Sequence, residues 1–251
     1  MRNFTIFAAM LLGAPAANAT PAVWESDFGP SFMVGDDYTD TVALGFAFPL
    51  FGTSYSSVEA STNGFLSFGG SNGTACCSVN SSAFLAGAPR LAVEWLDLAT
   101  VVHLNTAVAG RAVFTWNGNE FRSPNMITVQ AQLFADGRII LGFDSPSVPV
   151  RDTLTGLSIG GGAADPGGSD LSAGSFATGN SFYQLFPGGT FDLNQSNLFI
   201  SPRVGSGFDV SSIAPAVTGS VPEPASWALL TVGFGLAGSV LRRRRDRVLA
   251  A

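Results

Sequence analysis

The chain has 251 residues with twelve Arg, no Lys and eighteen Asp or Glu, and five of the Arg fall between positions 242 and 247. From Thr20 to Ser220 only six Arg (90, 111, 122, 138, 151 and 203) stand against sixteen acidic residues, a body near −10, which excludes nucleic acid because phosphate binding needs a clustered positive footprint. The two cysteines, Cys76 and Cys77, are adjacent, which excludes a disulfide framework and leaves a vicinal bridge, an intermolecular bridge or two buried thiols.

Residues 1–19 read as a secretory signal peptide: Arg2, an apolar run from Phe4 to Leu12, and small residues closing on Ala17-Asn18-Ala19. Signal peptidase accepts small side chains at Ala17 and Ala19, so cleavage is expected after Ala19.

The body, residues 20–200, reads as all-β and sandwich-like. Val42, Leu44, Phe46 and Phe48 alternate with Thr41, Ala43, Gly45 and Ala47, the period of a half-buried strand. Pro49 and Gly52 predict a break at 50–53. A strand at 57–60 follows, then a tight turn at Asn63-Gly64 and a strand through Phe68. Residues 69–82, rich in Gly, Ser and Asn, read as a surface loop carrying the cysteines. Further strands are expected at 91–98, 101–104, 111–116, 126–134 and 138–143, the last two joined by Ala135-Asp136-Gly137. After Ser158 the chain is Gly-rich loop, and one or two closing strands are expected within 181–200. Residues 201–220 have the Pro, Gly and Ser content of a linker. No helix of core length is predicted outside the two ends.

At the C-terminus, Val221-Pro222-Glu223-Pro224 precedes seventeen uncharged, mostly apolar residues, 225–241, and then Arg242, Arg243, Arg244 and Arg245. As a transmembrane helix this run reaches about 26 Å, close to the thickness of a hydrocarbon core. The Arg cluster holds its side in the cytoplasm and leaves the body outside the inner membrane. Pro222 and Pro224 keep the preceding peptide extended, a form that a processing enzyme can grip.

Two resemblances follow. Pro222-Glu223-Pro224, the apolar helix and Arg242–Arg245, within 221–247, resemble the PEP-CTERM sorting signal. That resemblance implies an inner-membrane-anchored precursor that is a substrate of an exosortase and is delivered to the cell surface or the extracellular matrix. The segments Leu44-Gly45-Phe46-Ala47-Phe48-Pro49-Leu50-Phe51-Gly52 and Ser61-Thr62-Asn63-Gly64-Phe65-Leu66-Ser67-Phe68, followed by Val93-Glu94-Trp95-Leu96-Asp97, Val113–Trp116 and Gln130–Ile139, resemble nidogen-type extracellular domains. This second likeness implies an adhesion-like β module and carries over no activity. The Trp-Asp pair usual there is split by Leu96.

Chemistry-bearing constellations are sparse. His103, the only histidine, sits in an apparent strand and is read as structural; His-based zinc and Ser-His-Asp sites lack their parts. No nucleophile elbow or phosphate loop is present in the sequence, and no cofactor is expected. Asp36, Asp37 and Asp40 beside Tyr38, and Asp165 with Asp170, are oxygen clusters of the kind that hold Ca²⁺, although solvated loop acids are the plainer reading. The expected role is non-enzymatic, adhesive or structural, in a biofilm or envelope, with exopolysaccharide or other surface proteins as contacts. The alternative is a secreted carbohydrate-binding or carbohydrate-active protein, with Trp24, Trp95 and Trp116 as candidate sugar platforms or two carboxylates as hydrolytic groups.

Overall fold

The computed structural model describes residues 23–77 and 79–212. The signal peptide with Ala17 and Ala19, the sorting signal with Pro222, Glu223, Pro224 and Arg242–Arg245, and the apolar segment 225–241 lie outside the described residues. Among the described residues no helix is long and apolar enough to cross a membrane.

Alternation decides the longest strand. In β2 (Thr39–Leu50) Leu44, Phe48 and Leu50 are buried while Ala43, Gly45, Ala47 and Pro49 are exposed, as the sequence period requires. The chain then turns on Phe51-Gly52, both at positive φ (51° and 79°), and returns as β3 (Thr53–Ser61), with Leu50 opposite Thr53. Two positive φ values in a two-residue loop match the right-handed twist of the flanking strands. A phenylalanine there costs about 1–2 kcal/mol, because its Cβ crowds the following carbonyl.

β3 pairs with β4 (Phe65–Ser67) across the three-residue turn 62–64, one residue longer than the tight hairpin expected from Asn63-Gly64. Gly64 has φ +78°, and a Cβ on it would lie 2.4 Å from the carbonyl oxygen of Glu94. Only glycine fits that approach.

The apolar run 91–98 is two strands. β5 (Arg90–Trp95) and β6 (Leu98–Asn105) are separated at Leu96-Asp97, where the chain leaves one sheet for the other. β7 (Arg111–Glu120), β8 (Met126–Phe134) and β9 (Ile139–Phe143) form a meander, with Asp136-Gly137 at the predicted hairpin. β10 (Thr153–Ser158), β11 (Ser175–Thr178), β12 (Phe182–Phe186), β13 (Ser196–Pro202) and β14 (Phe208–Ser211) complete two antiparallel sheets. With β1 (Ser31–Asp36), one sheet runs β1-β6-β7-β8-β9-β13-β14-β11 and the other β12-β10-β5-β4-β3-β2. The all-β sandwich expected from the sequence is the observed architecture.

Strands β1, β10, β11 and β14 go beyond the sequence reading. β14 lies inside the stretch assigned to a linker: its Phe208 and Val210 are buried among Gly, Ser and Pro, so the folded body continues to residue 212. A four-residue strand with two inward side chains is too short to shift local composition away from that of a linker.

Between the sheets lies one large core, including Phe48, Phe68, Val93, Phe114, Trp116, Leu141 and Phe143. The outer face of the smaller sheet is sealed by α1 (Ser81–Leu85), a single turn capped by Asn80, whose Oδ1 accepts from the N–H of Ala83 at 2.8 Å. Phe84 and Leu85 press onto Phe65, Trp95 and Tyr183. The outer face of the larger sheet carries buried polar groups instead, because segment 23–30 crosses it. Gln130 exchanges hydrogen bonds with Glu25 (3.1 and 2.7 Å), Asn105 Nδ2 donates to the Asp27 carbonyl at 2.7 Å, and Arg111 pairs with Glu25. Hydrogen bonding from the Asp27 N–H, then from Arg111, holds the Glu25 carboxyl below its ordinary range.

Candidate functional site

The two motif segments that the sequence singles out, 61–68 and 93–97, meet at one end of the sandwich. Asn63 joins them: its Oδ1 accepts from the N–H of Leu98 at 2.8 Å, and its Nδ2 donates to Asp37 Oδ1 at 2.8 Å and to the Thr74 carbonyl at 3.0 Å. Asn63 is fully buried, so each of these bonds replaces water that the side chain has given up. Gly64 O accepts from the N–H of Val93, Thr100 Oγ1 donates to Thr62 O, and Trp116 Nε1 donates to Ser61 O at 2.7 Å. The turn is thereby clamped between both sheets.

Around this clamp the acids gather. Carboxylate oxygens of Asp36, Asp37 and Asp97 lie within 4.8 Å of one another. Burial, then the neighbouring Asp37 and Asp97 charges, raise the Asp36 carboxyl above its ordinary range. Burial likewise raises Asp97, against the pull of Arg151, whose guanidinium stands 3.1 Å from Asp97 and 3.7 Å from Glu120. Deeper still, Glu94 is wholly buried with no hydrogen-bond partner on either carboxyl oxygen, and burial followed by the Glu120 charge pushes it up to about 8. Glu120, equally buried, accepts from Asn125 Nδ2 and from the N–H of Val150. The result is an acidic corner that runs from the partly exposed Asp36 and Asp97 down to the wholly buried Glu94 and Glu120.

This regroups the acids predicted from sequence. Asp97, not Asp40, completes the set with Asp36 and Asp37; Asp40 is exposed and accepts from the N–H of Thr41. An all-oxygen trio suits a hard cation in chemical type, and Arg151 already offsets part of its charge. Asp165 and Asp170 are not brought together: Asp165 accepts from the Gly167 N–H and the Tyr183 hydroxyl, and Asp170 from Ser172.

The structure pairs Cys76 with Cys77 beside Asp37, in a loop tied down where Trp95 Nε1 donates to the Ala75 carbonyl at 2.9 Å. Cys77 is exposed and Cys76 half-buried, so the reading of two buried thiols does not hold. His103 donates from Nδ1 to the Gly29 carbonyl at 3.0 Å and packs against Phe28, a structural role in the strap. Trp95 and Trp116 are 1% and 0% exposed and offer no platform, while Trp24 is half-buried over Gly142.

Sequence reasoning missed Arg90. It is 3% exposed and wedged between Phe65 and Trp95, its guanidinium carbon 4.8 and 4.7 Å from the ring centroids. Burial lowers it to about 10. An Arg at the mouth of an apolar strand reads as a flank, and nothing local shows that it will lie against the Phe65 and Trp95 rings.

The comparisons with known proteins agree with this architecture. The NIDO related family matches residues 18–181, and the PEP-CTERM protein-sorting motif matches residues 220–245. No curated protein and no solved structure matches the chain. The sorting motif marks an exported protein targeted to an exosortase, and the NIDO-related domain is an extracellular module; together they make this a cell-surface or extracellular protein. The first match covers well over half of the chain, including both segments clamped by Asn63, and the chain therefore belongs to the NIDO-related family.

Proposed function

We propose that the processed protein works at the cell surface or in the extracellular matrix as a non-enzymatic adhesive or structural module, released from an inner-membrane-anchored precursor. The observation that carries this reading is the union, in one chain, of an extracellular β-sandwich with an exosortase sorting motif. Its contacts are exopolysaccharide or other surface proteins.

The chemistry of the acidic corner supports a non-catalytic role. Glu94 and Glu120, the two wholly buried carboxyls of the corner, are both 0% exposed and so are closed to a dissolved substrate. Hydrolysis of a glycoside needs both carboxyls against the scissile bond. Asn63, the best-connected polar side chain of the corner, spends its hydrogen bonds on the fold.

In the native host, the protein is expected in the matrix or cell-surface fraction when the exosortase is present and in the membrane fraction when it is deleted. Purified processed protein is expected to leave polysaccharide and ester substrates unchanged. Turnover well above background, or identical fractionation in the two strains, contradicts the proposal.

A further inference from the structure

Opposite the acidic corner, at the far end of β3, three hairpin turns surround a cleft of about 460 Å³. β3 has nine residues, so the two ends are roughly 25–30 Å apart. The cleft falls within the roughly 300–1,000 Å³ span of small-ligand sites. It is formed by the β2–β3 turn at Phe51-Gly52, the β8–β9 turn at Asp136-Gly137, and the β13–β14 turn at 203–207.

Its walls are of two kinds. Pro49, Phe51 and Pro202 supply rigid rings, and Phe51 is fixed by an edge contact with Phe208 at 5.7 Å and 89°. The turn itself has no need of a phenyl group: Asn is the residue its left-handed first position favours. The ring serves two surfaces instead: it packs against the core through Phe208, and it lines the cleft. Gly137 brings the second turn in close, since a Cβ on it would lie 3.1 Å from the Pro49 carbonyl and 3.4 Å from the Pro202 ring.

Asp136, Asn180 and Arg203 supply the polar groups. Asn180 is oriented by the Gly207 N–H, which donates to its Oδ1 at 3.1 Å and leaves Nδ2 to donate. Both charges are already offset: Asp136 holds Arg138 at 2.7 Å, and Arg203 stands 3.5 Å from Asp209. A charged ligand would find its counter-charge engaged and an acidic body around it. A polyhydroxylated ring without net charge suits these walls, with its C–H face on the prolyl and phenyl rings and its hydroxyls donating to Asp136 and accepting from Asn180 and Arg203.

We propose that this cleft is a binding site for a neutral saccharide unit, an inference that rests on the matrix reading above and assigns it a contact. The test uses exported protein recovered from its host and titrated calorimetrically with neutral trisaccharides of glucose, galactose and N-acetylglucosamine. A trisaccharide of uronic acids is the charged comparator. Two variants accompany it: Phe51→Asn, which keeps the turn and removes the ring, and Arg203→Ala, on an exposed loop. The expected result is saturable binding of at least one neutral trisaccharide, weakened on the order of tenfold or more in both variants, while Arg203→Ala melts like the parent and Phe51→Asn, which also loses its packing on Phe208, still unfolds cooperatively. Absence of saturable binding, equal binding by both variants, or preference for the uronic comparator overturns the proposal. Matrix fractionation separates the two readings. Retention in the matrix without saccharide binding removes this site alone, whereas saccharide binding without retention removes the matrix role and leaves the site.

Discussion

Raising the pH from about 5 to about 8.5 is expected to destabilise the sandwich by roughly 3–5 kcal/mol, and Glu94→Gln is expected to remove most of that loss. Glu94 is wholly buried, accepts no hydrogen bond and lies next to Glu120, so the folded state keeps its proton up to about 8. The unfolded chain releases the same proton near 4.5. Between those values the unfolded state binds fewer protons, and stability therefore falls as pH rises. It is fully present below the unfolded value and is lost as pH passes through the folded one. Asp36 and Asp97, also raised by burial, act in the same direction. Denaturant unfolding of parent and variant across this range is the measurement; parallel profiles would show that Glu94 is not the group responsible.

Asn63→Ala is expected to cost about 2–4 kcal/mol, a large effect for the loss of one amide. The Leu98 N–H and the Thr74 carbonyl lose a buried partner together, and Asp37 loses its donor. Asn63→Asp separates this account from a simple volume effect. It keeps the acceptor for Leu98 but faces Asp37 and a carbonyl with a carboxylate, so it should be at least as damaging at neutral pH and partly recover near pH 4. Thermal melts at both pH values read this directly. A variant Asn63→Asp that is stable at pH 7 would mean that the clamp does not depend on the amide donor.

What the sequence discloses here follows the length of its patterns. β2 carries twelve residues of alternation, and Asp136-Gly137 sits between two apolar runs, so both are legible. β5 and β6 are not separable by pattern, because Trp95, Leu96 and Leu98 are all buried and the apolar run crosses the break between sheets. β14 is too short to outweigh the Gly and Ser around it. The acidic corner was half legible: Asp36 and Asp37 are adjacent and visible, but Asp97 joins them only through the β5–β6 crossover and the Asn63 clamp. The strap at 23–30 leaves a different trace. Gln130 and Gln132 look like solvent-facing positions of β8, and only a segment laid over that face accounts for their burial.

The corner also explains why family resemblance and site chemistry diverge. The matching segments 61–68 and 93–97 supply the clamp, a device for joining two sheets, and the chain can keep it whatever its surface binds. The opposite end of the sandwich, built from three turns, can change its side chains without disturbing that junction.

Export followed by cleavage is the centre of the account, and intact-mass analysis of the protein from its native host, with and without the exosortase, tests it most directly. The account predicts an N-terminus at Thr20 in both strains and a C-terminus close to Pro224 only where the exosortase is present. A mass retaining residues 225–251 in both strains would contradict it and make the tail a plain membrane anchor.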